Sequence, residues 1–448
     1  MSGPVLLLLI ALSVGLIVVL TTVLRLHPFL ALLVATVALG LGVGLSPAQL
    51  LDALNGGFGG LMSYIGLIVV LGSIIGVILE KSGAALRIAD LMLRTVGNRR
   101  PALAMSIVGA TVSIPVFCDS AFIILSGLND ALARRTGTKK ATLALALASG
   151  LYTTHTLVPP TPGPIAAAGN LGAGDYLGTV LLLGLLVSLP TAAVAYWLAK
   201  RFGAKLPTTD PDLLPTERRA LPSAGRSVLP LLLPIVLIGL GSIVSLVAPN
   251  LPGAEWWLFL GHPLIALLLG LAGALTLLPK WDEAHLTGWI GEGVRLAGPI
   301  LILTGAGGAF GGVLKATPLR ELVAQWTAGD GFAGAGLLVV GFGIAALLKT
   351  AQGSSTNALV ITSSLLAPVA AEMGYTDPTQ LALLVLAIGG GAMTVSHMND
   401  SYFWVVSRFS GLTTRDAYRS FTLISGAQGG VVLVVCLLLY ALLVGSGG

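Results

Sequence analysis

The chain has 448 residues, of which 55% are hydrophobic and 10% charged, and its mean hydropathy is +0.94. Soluble domains contain about 25% charged residues, so this composition excludes an ordinary soluble protein and predicts a polytopic membrane protein. The net charge of +5 comes from Lys and Arg in short loops. It indicates an orientation in a membrane, and no basic, aromatic-rich stretch of the kind that binds nucleic acid is found.

The fold class that the composition predicts is all-α. Backbone polar groups in lipid have to be satisfied within their own segment, so helices are the expected spanning elements, and about ten apolar stretches reach the necessary length. Cys118 and Cys436 lie far apart in apolar segments. They argue against a disulfide framework or a cysteine metal cluster, and we expect neither a metal nor a cofactor.

Charged residues divide the first half of the chain into spans. The positive-inside rule places Arg25 and the basic residues between 81 and 100 in the cytoplasm, and the loop 46–60, without Lys or Arg, outside. In the first half, residues 1–200, we predict scaffold spans over 1–80, a re-entrant hairpin over 101–133, a broken span over 141–175 and a span over 176–199.

Prolines predict where two of these segments break. Pro115 removes a backbone donor in the middle of the hairpin, so the turn is expected near 113–120, with Asp119 at membrane depth. Four prolines between 159 and 164 interrupt the broken span. Broken helices at membrane depth persist where they line a cavity.

The second half repeats this plan in the opposite orientation, after a polar interval, 201–227, that we predict to be a cytoplasmic linker. In this half, residues 228–448, we predict scaffold spans over 228–314, a re-entrant hairpin over 332–371, a broken span over 381–410 and a span over 421–444. Lys315 and Arg320 fall on the predicted outer side, against the charge rule. About ten spans, two hairpins and two broken helices in an inverted-topology repeat are typical of a secondary transporter with its site at the midplane.

Polar residues at the four breaks are the candidate site, because a charged side chain at the bilayer centre costs about 2.5–3.5 kcal/mol and usually has a function. The half-helices that follow the breaks have a partial positive charge at their N-termini, which favours an anionic substrate. The candidate substrate-binding residues are Ser113, Asp119, Ser120, Thr154, His155, Thr156, Thr161, Lys349, Thr350, Gln352, Gly353, Ser354, Ser355, Thr356, Ser396, His397, Asn399, Asp400 and Ser401.

Several of these residues have plainer interpretations. A serine such as Ser113 in an apolar helix often donates its hydroxyl hydrogen bond to a carbonyl of the same helix. The hydroxyls after Gly353 are typical of helix caps. Lys349 pairs either with a substrate carboxylate or with one of the two aspartates. The candidates for carrying a coupling proton are Asp119, His155, His397 and Asp400.

Four passages carry a resemblance to a known family. They are Pro115-Val-Phe-Cys-Asp-Ser120, Val158-Pro-Pro-Thr-Pro-Gly163, Lys349-Thr-Ala-Gln-Gly-Ser-Ser-Thr356 and Ser396-His-Met-Asn-Asp-Ser-Tyr-Phe-Trp-Val-Val406. Through them the chain resembles the gluconate permease family of proton-coupled symporters, in the ion transporter superfamily, over essentially its whole length.

The resemblance implies a multi-pass protein of the bacterial inner membrane that imports gluconate or a related small hydroxylated acid, such as D-serine or glycerate, together with protons. It also implies a scaffold domain, a transport domain that moves in an elevator-type alternating-access cycle, and a homodimer. No enzymatic activity is implied.

Three other functions are weighed against this one. A sodium-coupled carboxylate transporter of the same fold is the main alternative, and a selective channel is another. An intramembrane hydrolase that uses Ser354 or Ser355 with His397 is disfavoured, because the sequence lacks a Gly-x-Ser-x-Gly elbow.

Overall fold

The computed structural model describes residues 3–96, 100–206, 221–247, 252–318, 334–398 and 400–444. Within these ranges it is helical throughout, without strands, so the all-α prediction is confirmed. The helices are α1 (Gly3–Thr22), α2 (Pro28–Gly42), α3 (Pro47–Lys81), α4 (Ala84–Val96), α5 (Pro101–Val112), α6 (Cys118–Thr136), α7 (Lys140–Leu157), α8 (Pro162–Asn170), α9 (Leu177–Gly203), α10 (Ala224–Val247), α11 (Ala254–Gly261), α12 (Pro263–Leu275), α13 (Ile290–Lys315), α14 (Gly336–Gln352), α15 (Ser355–Glu372), α16 (Pro378–Met393), α17 (Ser401–Ser410), α18 (Thr414–Ala417) and α19 (Leu423–Leu443).

Short irregular turns precede three of the long helices. A 3-10 turn at Gly174–Tyr176 leads into α9, and π-helical turns at Ala284–Trp289 and Tyr418–Thr422 lead into α13 and α19. Part of the predicted linker, 207–220, the first two residues of the predicted second hairpin and Asn399 lie outside the described residues.

Fewer helices than predicted have the length and apolar character of a complete membrane span. In the described part of the chain there are five, and seven if two bent pairs are each counted as one span. The pairs bend by 46° between Ser63 and Gly66 and by 65° between Gly261 and Pro263. Several apolar helices, including α2, α5, α14 and α16, have only 10–17 residues.

The predicted outer loop 46–60 is wrong, because the chain is already helical from Pro47. Ser46 and Gln49 form a capping box, and Pro47 occupies the first helical position, where it needs no backbone donor. The glycines in this stretch made it resemble a loop. Gly57 instead allows close helix packing, since a β-carbon there would overlap the backbone carbonyl of Gly308 on α13.

The predicted span 258–278 is likewise not one straight helix. It divides at His262, whose ring nitrogen caps α12 by accepting a hydrogen bond from the backbone of Leu264. Pro263 then occupies the first position of α12, which is favourable there but not inside a helix.

Two central helices, α7 and α16, form the buried core of the fold. Every residue of α7 is buried, as is every residue of α16 from Leu381 onwards. Helix α7 packs against α5 and α9, and α16 packs in the same way against α14 and α19. The same pattern of helix packing therefore occurs once in each half of the chain.

The four helix breaks lie beside these central helices. They fall at 113–117, 158–161, 353–354 and 394–400. The helices that follow the breaks pack across the two halves, α6 against α17 and α8 against α15. This crossing brings sequence-distant polar passages together.

Candidate functional site

A cavity of about 260 Å³ lies where three of the breaks meet. The start of α6, the end of α7, the start of α15 and the start of α17 supply its walls. Its lining residues are Phe117, Cys118, Asp119, Tyr152, His155, Gln352, Gly353, Ser354, Ser355, Thr356, Asp400, Ser401 and Tyr402. Nine of the predicted substrate-binding residues therefore line one space: Asp119, His155, Gln352, Gly353, Ser354, Ser355, Thr356, Asp400 and Ser401.

The N-termini of α6, α15 and α17 all face this cavity. The first backbone N–H groups of a helix have no partner within it, and each N-terminus has a partial charge of about +0.5. Phe117 provides no side-chain cap for α6, whereas Ser354 accepts a hydrogen bond from the backbone of Asn357 at 3.2 Å in α15. Converging helix N-termini make the cavity suitable for an anion.

Lys349 forms a buried ion pair with Asp400. The Lys349 ammonium is 2.6 Å from Oδ2 of Asp400 and also donates to the carbonyl of Gly353 at 2.8 Å. Lys349 is 1% exposed and does not line the cavity. Of the two roles weighed for this lysine, the structure favours the neutralisation of an aspartate over direct contact with a substrate.

Asp400 is further held by its own segment. Its Oδ2 accepts a hydrogen bond from the Ser396 hydroxyl at 2.5 Å, and its Oδ1 accepts one from the backbone N–H of Tyr402 at 3.1 Å, which caps α17. Asp400 therefore combines the roles of ion-pair partner and helix cap.

Asp119 is the carboxylate of the cavity that lacks a cationic partner among the described residues. It accepts hydrogen bonds from Ser401 Oγ at 3.1 Å and from Cys118 Sγ at 3.7 Å. It also lines an adjoining cavity of about 380 Å³, together with Ser120, His27 and Leu296. This second space connects the site with α2 and α13, so Asp119 lies between the two cavities.

His155 presents an unpaired nitrogen in the site. The residue is 8% exposed and lines the cavity, and its Nδ1 has no hydrogen-bond partner among the described residues. Its ring lies 6.1 Å from that of Phe117. An unpaired buried polar atom costs about 1–3 kcal/mol, so a ligand that bonds to His155 recovers this energy.

Other predicted residues lie next to the cavity rather than in its wall. His397 Nε2 is 2.8 Å from the carbonyl of Thr350, which connects the unwound segment to the second hairpin. The hydroxyls of Ser113, Thr156 and Thr161 each bond to a nearby backbone carbonyl. None of the three residues lines the cavity, and their contact with the substrate stays a prediction. Thr154 is buried outside the lining, and Asn399 is not described.

Four lining residues, Phe117, Cys118, Tyr152 and Tyr402, are not among the residues predicted from the sequence. Tyr152 and Tyr402 line the cavity, and their rings are 5.2 Å apart. A tyrosine in an apolar helix is normally interpreted as core, and here the only signal was its position three residues before His155. Tyr402 donates to the carbonyl of Ala148 at 2.9 Å and so fixes α17 to α7.

A larger cavity of about 640 Å³ contains none of the predicted site residues. It lies between α3 and α13 on one side and α8 and α15 on the other, and its charged lining residues are Asp52 and Lys315. The described residues also contain no group of three or more His, Cys, Asp or Glu side chains arranged to hold a metal ion.

Comparisons with known proteins agree with these features. The sequence profile described as "GntP family permease" matches residues 5–443. A protein named "Uncharacterized permease" from Haemophilus influenzae is 37% identical over 430 residues, covering 91% of this chain and 86% of that protein. A gluconate permease from Pseudomonas aeruginosa is 32% identical over 440 residues, covering 95% of both.

The fold is similar to that of a solved transporter. The crystal structure of the YdaH transporter from Alcanivorax borkumensis superposes with a TM-score of 0.66, covering 94% of this chain and 98% of that one, at 15% identity. This likeness concerns the fold alone. The profile match over nearly the whole chain and the similarity to known permeases show that this protein belongs to the GntP permease family and is a membrane transporter, not an enzyme.

Proposed function

We propose that this protein imports gluconate or a related small hydroxylated acid together with protons across the bacterial inner membrane. The observation that carries the proposal is the pairing of three helix N-termini with an uncompensated carboxylate, Asp119, in one cavity of about 260 Å³. The helix N-termini attract the acid, and Asp119 links its binding to a proton.

The lining suits a small acid with several hydroxyl groups. The hydroxyls of Ser354, Ser355, Thr356 and Ser401 and the phenol of Tyr152 both donate and accept hydrogen bonds, as the hydroxyls of a sugar acid do. Pockets for drug-sized ligands begin at about 300 Å³, so a slightly smaller cavity suits a metabolite. His155 Nδ1 offers a further polar contact.

The coupling between the acid and the proton arises from the repulsion between two negative charges. An acid anion that enters the cavity lies near Asp119, and two negative charges in a poorly hydrated space repel each other. Protonation of Asp119 removes this repulsion, so the acid and the proton bind more strongly together than separately. Asp400 is less suited to this role because Lys349 already compensates its charge.

The transport cycle that we propose moves the hairpins and central helices relative to scaffold helices α3 and α13, as an elevator. Two glycines on one face of α3 support it. Gly72 and Gly76 lie against the carbonyls of Pro160 and Pro115, which belong to the first two breaks. Because neither glycine has a side chain, no side chain at these two positions opposes sliding of the breaks along α3. The inverted repeat and the homodimer that the family resemblance implies are part of this proposal.

Uptake into proteoliposomes tests the function. Purified protein is reconstituted in choline buffer, with labelled gluconate outside and an inwardly directed proton gradient. We expect the labelled gluconate to accumulate, and a protonophore to abolish this accumulation. Unlabelled gluconate, glycerate or D-serine should compete with the labelled gluconate for uptake. Accumulation that requires a sodium gradient at constant pH would instead establish the sodium-coupled alternative, and equilibration without accumulation would favour a channel.

A further inference from the structure

The side chain of Lys349 places a cation inside the protein at the junction of two polar passages, the turn between α14 and α15 and the segment that precedes α17. Its Nζ is 2.6 Å from the Asp400 carboxylate and 2.8 Å from the Gly353 carbonyl. The ring of Tyr152 lies 5.7 Å from the same nitrogen. Lysine is a compact point charge, and here oxygen atoms and an aromatic face surround it.

These oxygen atoms are the types that hard cations prefer as ligands. Gly353 has a left-handed backbone conformation, with φ of 77°, at the turn between α14 and α15. Asp400 is the N-cap of α17, and the Ser396 hydroxyl lies 2.5 Å from its Oδ2. A carbonyl and a carboxylate therefore converge on the ammonium from two separate elements, and oxygen atoms of these types are the ligands of hard metal cations.

The first half of the chain has no charge at the corresponding positions. Lys349 lies six residues before the start of α15, and Val112 lies six residues before the start of α6. Asp400 directly precedes α17, and Thr161 directly precedes α8. The fixed cation is therefore a feature of the second half alone. A helical hairpin of this kind does not need a buried cation in order to fold.

We propose that the ammonium of Lys349 occupies a site for a monovalent cation between the second hairpin and the unwound segment, and that it takes the place of a dissociable cation there. The inference rests on the proposed proton-coupled transport, which it deepens by explaining why no second cation is needed. A chain without this ammonium, but with the space left open, requires an external cation to hold the two elements together.

The test uses Lys349→Ala, which removes the ammonium and leaves its space. Purified full-length protein in choline buffer is titrated with sodium, lithium or methylammonium chloride, and thermal unfolding is followed. We expect the midpoint of Lys349→Ala to rise saturably by at least about 2 °C, and that of the wild type to stay constant. Gluconate binding by Lys349→Ala should be at least about tenfold weaker in choline and recover with the same cations.

Two matched controls make the result specific. Lys349→Met fills the space without a charge, and Lys349→Ala combined with Asp400→Asn removes the carboxylate, so neither should respond to cations. If Lys349→Ala responds no more than Lys349→Met, or if the double variant responds as strongly as the single one, the proposal is overturned. Lys349→Ser leaves similar space and serves if the alanine variant is too unstable to purify.

The thermal measurement needs no substrate, so it separates this inference from the proposed function. If the wild type accumulates none of gluconate, glycerate and D-serine while cations still stabilise Lys349→Ala, only the proposed function fails. If the wild type accumulates gluconate in choline and Lys349→Ala ignores every cation, only the cation site fails.

Discussion

The hydroxyl of Tyr152, in the last two turns of the completely buried helix α7, lies 2.8 Å from the hydroxyl of Ser355 in the first turn of α15. The two residues are separated by 203 positions in the sequence. Both line the cavity, so this hydrogen bond connects the central helix of the first half with the second hairpin at the point where we expect the substrate.

Replacement of Tyr152 by Phe should weaken substrate binding. The variant leaves the Ser355 hydroxyl without its partner and removes one hydroxyl from the wall, and a single hydrogen bond is worth about 0.5–1.5 kcal/mol, or roughly threefold to tenfold in affinity. Gluconate affinity of the purified protein provides the measurement. Tyr440→Phe is the control, because Tyr440 is also buried and accepts a hydrogen bond from Gln380, away from the cavity. Equal affinities of the two variants would exclude Tyr152 from the binding surface.

Asp119→Asn should abolish accumulation while preserving exchange. The amide keeps a hydrogen bond to Ser401 but cannot carry a proton, so uptake no longer responds to a proton gradient. The measurements are gradient-driven uptake and gluconate counterflow in the same proteoliposomes. Glu255→Gln, which changes an exposed carboxylate at the start of α11, should behave as wild type. Normal accumulation by Asp119→Asn would assign the proton to another residue.

Asp400→Asn should act on stability more than Asp119→Asn does. It leaves the Lys349 ammonium buried without a counter-charge, and removal of one partner from a buried ion pair costs about 3–5 kcal/mol. We expect a clearly lower thermal midpoint for Asp400→Asn, whereas the half-buried Asp119 pairs with no cation among the described residues and tolerates the change. Similar midpoints for both variants would contradict the different roles assigned to the two aspartates.

The sequence predicted the membrane class, the family and nine of the thirteen residues that line the cavity, because each depends on local signals. Prolines and polar runs in apolar segments indicated the four breaks, and charges at membrane depth indicated Asp119 and Asp400. Which residues beside a break face the cavity depends on how the helices pack, and local sequence patterns do not show this. Because α7 is buried on all sides, its pattern cannot distinguish Thr154, which points away, from Tyr152 and His155, which line the site. The sequence left the partner of Lys349 open for the same reason.

The two histidines proposed as proton carriers should differ in their effect on binding. His155 lines the cavity with an unpaired Nδ1, whereas His397 bonds to the Thr350 carbonyl outside it. We expect His155→Gln to weaken gluconate binding by at least about tenfold, since a hydrogen bond to a charged group is worth about 1.5–3 kcal/mol. His397→Gln keeps a donor for Thr350 and should remain close to wild type. The reverse order in equilibrium binding would place the substrate nearer to His397.

Two glycines of α3 provide the last comparison. A β-carbon at Gly76 would lie 2.5 Å from the carbonyl oxygen of Pro115, a backbone atom that moves only together with the first break, whereas one at Gly59 meets nothing within 4 Å. Alanine in place of glycine inside a helix is otherwise favourable by about 0.8–1.0 kcal/mol. Gly59→Ala should therefore raise the thermal midpoint, and Gly76→Ala should lower it.

Transport measurements on Gly76→Ala show whether the substitution only disturbs packing or also displaces the first break. Pro115 precedes the start of α6 by three residues, so a shift of its carbonyl moves Asp119 as well. We expect Gly76→Ala to lose proton-driven uptake by a larger factor than it loses counterflow, because the coupling carboxylate is displaced while the second hairpin keeps its place. Gly59→Ala should retain both activities. If Gly76→Ala retains the wild-type ratio of the two, the contact with Pro115 has no part in coupling.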